Sequence, residues 1–189
     1  GDQFMILIGD ANVIISDRWE IGADGGGPAT VDMYGDAQVV TNGFRGFEGG
    51  TTTFNMSENA SLFIDNDVEW GDEDFDLAII TLSDNASFEL TDRFRVANHG
   101  TTELHVSGNA SFFVDDDLRG GDNDDGLIVI TMSGGSIEVA DTLEIGDDGR
   151  CDIDLTGGTF TIGGEAKLTG RGGQHNTVDQ RRRAHGRQR

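Results

Sequence analysis

Thr101-Thr-Glu-Leu-His-Val-Ser-Gly-Asn-Ala-Ser-Phe-Phe-Val114 restates, position by position, two segments that precede it. These are Leu77-Ala-Ile-Ile-Thr-Leu-Ser-Asp-Asn-Ala-Ser-Phe-Glu-Leu90 and Thr51-Thr-Thr-Phe-Asn-Met-Ser-Glu-Asn-Ala-Ser-Leu-Phe-Ile64. Apolar residues alternate with polar ones on either side of a short Ser-X-Asn-Ala turn. That is the period of half-buried strands, not of a helix. Two further copies begin at Leu127 and Arg150, with the turn shortened to Ser-Gly-Gly-Ser and Thr-Gly-Gly-Thr, and two looser ones begin at Phe4 and Ala29. A repeat of this kind is one unit that cannot bury its apolar face alone, so stacking must supply the core.

The spacing predicts an all-β chain: a single-stranded parallel β-helix, or β-solenoid, with about seven rungs of roughly 22–26 residues and three short strands in each. Strands of about three to five residues do not survive as isolated hairpins, but each would pair with the rung above and below. At about 4.8 Å between neighbours, seven rungs make a rod of roughly 34 Å. The first strand is expected to turn inward Ile6 and Ile8, Val31 and Met33, Phe54 and Met56, and the equivalent pairs as far as Ile153 and Leu155. The second strand turns inward pairs such as Leu62 and Ile64, and the third such pairs as Val68 and Trp70. The second rung fits least well, because Gln38 falls where an inward apolar residue is expected and Val40 resumes the pattern. Gly46 and Gly120 leave the third strand half empty.

Composition agrees with a solenoid. Only 35% of the 189 residues are hydrophobic, which would underfill an ordinary core, while 29 glycines suit a chain that turns corners repeatedly. The net charge of -22 disfavours nucleic acid and anionic membrane as partners and favours cations or a basic partner, and no apolar run of 18 residues points to membrane insertion. The only cysteine, Cys151, excludes an intrachain disulfide. Residues 1–173 are read as the parallel β-helix domain. Residues 174–189 carry arginines without periodicity and are read as a basic tail lacking regular structure.

Three corners hold the chemistry. The corner after the first strand stacks Asn59, Asn85 and Asn109, which predicts an amide ladder from rung to rung. The corner after the second strand stacks Asp17, Asn42, Asn66, Asp92, Asp116, Asp141 and Gly164, with Asp65, Asp67, Asp115 and Asp117 beside it. Short Asx side chains suit such a turn for structural reasons. Carboxylates stacked about 4.8 Å apart also repel one another, and Ca2+ coordinated by several oxygens would relieve this. The third corner adds Asp72 and Asp74 in one loop and Asp122 and Asp124 in another, either as solvated turns or as a cation site.

Outward on the second strand stand Ile14, Val39, Phe63, Glu89, Phe113, Glu138 and Thr161. Phe63 and Phe113, two rungs apart, have the spacing of a sugar-stacking platform, and equally of a dimer interface or a covered face. His99 and His105 read as surface side chains, and no nucleophile elbow, phosphate loop or dinucleotide fingerprint is present. Carboxylates are so numerous that a glycosidase-like pair would arise by chance.

The run Ser133-Gly-Gly-Ser-Ile-Glu-Val-Ala-Asp-Thr-Leu-Glu-Ile-Gly-Asp-Asp-Gly149, followed by Leu155-Thr-Gly-Gly-Thr-Phe-Thr-Ile-Gly-Gly164, resembles the repeats of secreted bacterial β-solenoids such as autotransporter passenger regions and related surface proteins. The resemblance spans about residues 4–172 and implies an extracellular or cell-surface location and an adhesive or structural role. The expected function is therefore a non-enzymatic solenoid module with Ca2+ as its one candidate cofactor and a polysaccharide or cell-surface component as partner. A carbohydrate-binding module is the alternative, and a polysaccharide lyase or hydrolase a weaker one.

Overall fold

A computed structural model describes residues 2–21, 27–46, 50–70, 76–121, 123, 125–146 and 148–168. The described residues are all-β and form a β-solenoid of stacked parallel coils. Its first column contains Gln3–Leu7, Ala29–Met33, Thr51–Met56, Leu77–Leu82, Thr101–Val106 and the leading halves of Leu127–Val139 and Arg150–Ile162. Each pairs in parallel with the next. A second column runs from the start of Asn12–Ile21 through Ser61–Ile64, Ser87–Leu90 and Ser111–Val114. A third runs from Trp19 through Val68–Trp70, Phe94–Val96, Leu118–Gly120, Leu143–Ile145 and Ala166–Leu168. Seven coils are thus separated by six steps, about six turns, close to the seven rungs expected. Successive first strands are offset by 23 to 26 residues, as Val31 to Phe54 and Thr51 to Leu77 illustrate.

The core is an aromatic chain along the axis. Trp19 meets Phe44 at 5.4 Å between ring centroids, Phe44 meets Trp70 at 5.0 Å, Trp70 meets Phe94 at 5.0 Å, and Phe94 meets Phe112 at 5.5 Å. Most are edge-to-face contacts, the arrangement that the ring quadrupoles favour. Beyond Phe112 the core becomes aliphatic, with Ile128, Ile130, Ile137 and Ile145 buried.

Two expectations are corrected. In the first coil, Met5 and Leu7 face inward, aligned with Val31 and Met33, whereas Ile6 and Ile8 face out at 49% and 67% exposure. The segment Phe-Met-Ile-Leu-Ile is apolar in both phases, so alternation alone does not choose a face, and pairing with the next coil decides it. In the second coil, Ala37 and Val39 are buried while Gln38 and Val40 point outward, so Val40 takes the outward place assigned to Val39. Gln38 therefore stands outside the core.

The interior is also larger than six positions per turn. Ala29, Thr52, Ala78, Thr102, Ile128 and Cys151 form another inward column at the start of the first strand. Ala37, Ala60, Ala86 and Ala110 are fully buried at the first corner. Alanine gives little signal in a pattern built on large residues. The empty place at Gly120 is occupied by Ile128, whose Cδ1 would stand 2.6 Å from an added Cβ.

Candidate functional site

The corner after the second strand gathers the acids, and several of their oxygens have a defined partner. Asp17, Asn66 and Asp92 each accept, through Oδ1, the backbone N–H of the following residue at 2.9 Å. This local bond closes the turn and explains the short Asx side chains stacked there. One position later the acids reach the neighbouring coil. Asp67 Oδ1 accepts from the Arg93 amide at 3.3 Å, and Asp117 Oδ1 from the Thr142 amide at 3.0 Å. Thr91 donates to Asp65 at 3.3 Å.

Asp117 is the most committed of them. It is 7% exposed, and its Oδ2 accepts both Arg119 Nε at 3.0 Å and Nη2 at 2.6 Å. Burial pushes its carboxyl up from the ordinary value, but the Thr142 amide and the Arg119 guanidinium outweigh this and hold it below that value. Asp116 next to it is shifted upward, first by burial and then by Asp117, Asp92 and Asp141, with Arg93 opposing. Among the described residues, Asp116, Asp117 and Asp141 each bring one carboxylate oxygen within 4.8 Å of the others. Hard oxygen donors at that separation suit a cation such as Ca2+, although both Asp117 oxygens already serve Arg119 and Thr142.

Of the expected cation residues, Asp116, Asp117 and Asp141 converge. Asp65, Asp67, Asp92 and Asp115 lie at the same corner without joining that group. Asp72, Asp74, Asp122 and Asp124 lie outside the described residues, as does the 174–189 tail. Arg119 and Thr142 complete the Asp117 site, and the sequence reading missed Thr142, whose backbone amide carries no signature. It also missed Asp76, which is 1% exposed and accepts the Gly50 amide at 3.0 Å. In sequence Asp76 is simply the last acid of an acidic loop.

The predicted asparagine ladder is present and has a terminus that was not foreseen. Asn109 Nδ2 donates to Asn85 Oδ1 at 3.2 Å, Asn85 to Asn59 at 3.1 Å, and Asn59 to the Asp36 carboxylate at 2.8 Å. All three amides point the same way, and a carboxylate, which only accepts, ends the row. The same corner holds Glu58 and Asp84 at φ of 60° and 57°, in line with Gly35 and Gly108 at 72° and 66°.

Phe63 and Phe113 share one outward column, each beside Glu89, and both are half-buried. His105 Nε2 lies 3.1 Å from Glu103 Oε2. His99 lies in a polar cluster, with Nδ1 3.2 Å from Asp125 and Nε2 3.1 Å from Asn123. Cys151 is buried, and burial, with Asp152 adding to it, pushes its thiol up to about 11. No described helix is long and apolar enough to cross a membrane. Comparison of the chain with protein-family models, with curated proteins and with solved structures finds no match.

Proposed function

We propose that the protein is a non-enzymatic structural or adhesive solenoid module that works outside the cell or on its surface, as the resemblance to secreted bacterial β-solenoid repeats implies. One observation carries this reading: the asparagine row and the Asp67 and Asp117 carboxylates bond coil to coil, while the Asx side chains close turns within a coil. The asparagine row, the Asx turns and the Asp117–Arg119–Thr142 site all serve the rod. A polysaccharide or cell-surface component is the partner such a surface would meet. The test is incubation of the purified chain with a panel of neutral and acidic polysaccharides, scoring both retention and product. Retention without new chain ends supports adhesion, and product formation overturns the reading.

Carbohydrate binding is the second reading, favoured by Phe63 and Phe113 in one column with Glu89 between them. Two rings in one column with a carboxylate between them suit the apolar face and the hydroxyls of a sugar. Retention that survives Phe63→Ala with Phe113→Ala removes it. Calcium stabilisation belongs to the same proposal and predicts a melting midpoint that rises with millimolar calcium and loses that rise in Asp116→Asn with Asp141→Asn. An unchanged midpoint removes the cation and leaves the structural reading in place.

A further inference from the structure

Asn42-Gly43 is the one Asn-Gly pair in the chain, and it stands at the corner after the second strand, in the second coil. The parallel ladder is interrupted there on both sides. With the preceding coil the register runs to Ile15 on Thr41 and resumes at Arg18 on Gly43, so Asn42 is paired with neither Ser16 nor Asp17. With the following coil it ends at Thr41 on Ile64 and resumes at Phe44 on Val68, passing over both Asn42 and Gly43. Asn42 is exposed, and its side chain makes no hydrogen bond among the described residues.

Its counterparts in the same corner column are tied down. Asp17, Asn66 and Asp92 each hold the amide of the next residue through Oδ1 at 2.9 Å. At Asn42 that amide, Gly43 N–H, turns instead to Thr41 Oγ1 at 3.5 Å, a length at which the contact holds the nitrogen weakly. Gly43 is also open to approach, since a Cβ built on it would meet nothing within 4 Å. Other asparagines lack this combination. Asn59, Asn85 and Asn109 precede alanine and are joined in the amide row, and Asn12 precedes the branched Val13. Asn55 donates to Asp32 at 2.7 Å, and Asn98 accepts from Asn123 at 2.8 Å.

We propose that Asn42 is a site of spontaneous covalent modification, deamidating through a succinimide formed with Gly43. The Gly43 nitrogen attacks Asn42 Cγ and gives up its proton, and Nδ2 leaves as ammonia. Water then opens the ring at one of its two carbonyls. Opening at Cγ yields aspartate, whereas opening at the main-chain carbon yields isoaspartate, in which the chain runs through Cβ and Cγ. Either product carries one more negative charge than asparagine, in a column that already holds Asp17. Isoaspartate also lengthens the backbone by one carbon. That carbon enters between Thr41, whose Oγ1 donates to the Gly43 carbonyl at 2.8 Å, and Phe44, which is buried against Trp19, Phe54 and Trp70. The isoaspartate form is therefore the one that loosens the second coil.

The full chain is aged at mildly alkaline pH, in buffer and in parallel in urea, and then cleaved after arginine. Asn42 is the only asparagine between Trp19 and Arg45, so loss of its amide reads in that peptide as a gain of about 1 Da, which fragmentation places. The expected result is that gain in the folded chain, at least about tenfold faster at Asn42 than at Asn59, Asn85 or Asn109, with isoaspartate the major product. Gly43→Ala, for which the structure has room, should slow it at least about tenfold. Aged chain enriched in isoaspartate should unfold at a lower urea concentration than fresh chain, whereas Asn42→Asp, which adds the charge without the carbon, should not. A folded chain that gains no mass at Asn42 while the chain in urea does, or a Gly43→Ala chain that gains it at the unchanged rate, overturns the proposal. An isoaspartate form with the fresh chain's midpoint, or an Asn42→Asp midpoint that falls as far, overturns the loosening by the added carbon.

Discussion

A Cβ placed on Gly120 would overlap the carbonyl oxygen of Val96 in the coil below and stand 2.6 Å from Ile128 Cδ1. The backbone oxygen cannot move without breaking the parallel ladder, so Gly120→Ala should destabilise by about 2–3 kcal/mol in urea titration. Thr102 presents the opposite case. It is 2% exposed between Ala78 and Ile128, and its hydroxyl has no hydrogen-bond partner. Thr102→Val keeps the shape and removes the buried polar atom, and should stabilise by about 1 kcal/mol in the same titration. At Cys151, the thiol held up to about 11 is almost entirely protonated at pH 8. A thiol reagent at that pH should label native protein far more slowly than protein in denaturant. Equal rates would mean that the last coil is open at this position.

At the scale of a corner, side chains act as rows. Asn85 both donates to Asn59 and accepts from Asn109, whereas Asn109 only donates. Asn85→Ala should therefore cost about 1 kcal/mol and Asn109→Ala about half of that, read from urea midpoints. The acidic corner adds a pH dependence of two signs. Asp117 is held below the ordinary 3.8, so its contribution is present above that value and is lost as pH falls through the lowered one. Asp116 is raised, so its contribution grows as pH falls through the raised value, and its charge is unfavourable at neutral pH. At pH 7, Asp117→Asn should destabilise by about 2 kcal/mol, while Asp116→Asn should stabilise by about 0.5 kcal/mol. Urea titrations at pH 7 and pH 3 should show both differences shrinking at the lower pH.

The same elements show which parts of the fold are written plainly in the chain. The three Asn-Ala-Ser corners could be aligned by eye, and the asparagine row follows from that alignment alone. Register failed where the residues are apolar in both phases, at Phe4 to Ile8 and at Val39 to Val40, because only the neighbouring coil distinguishes the faces there. At the acidic corner the sequence located the column of carboxylates. It could not separate the convergent Asp116, Asp117 and Asp141 from Asp65 or Asp115, since that depends on the direction of each side chain and on a backbone amide at Thr142.

For the whole molecule, a stack of coils that touch only their neighbours draws its stability from each coil and from each junction. Its geometry is linear, so sites in one column should separate in proportion to the coils between them. Ile14, Phe113 and Thr161 lie in the same outward column, with four steps from the first to the second and six to the third. With Cys151→Ser as background and unlabelled protein added to dilute contacts between copies, spin labels at 14 and 113 should lie roughly 19 Å apart, and labels at 14 and 161 roughly 29 Å. Two narrow distributions in that ratio are the result a stacked parallel coil requires. Equal distances for the two pairs, or a second distance shorter than the first, would contradict it.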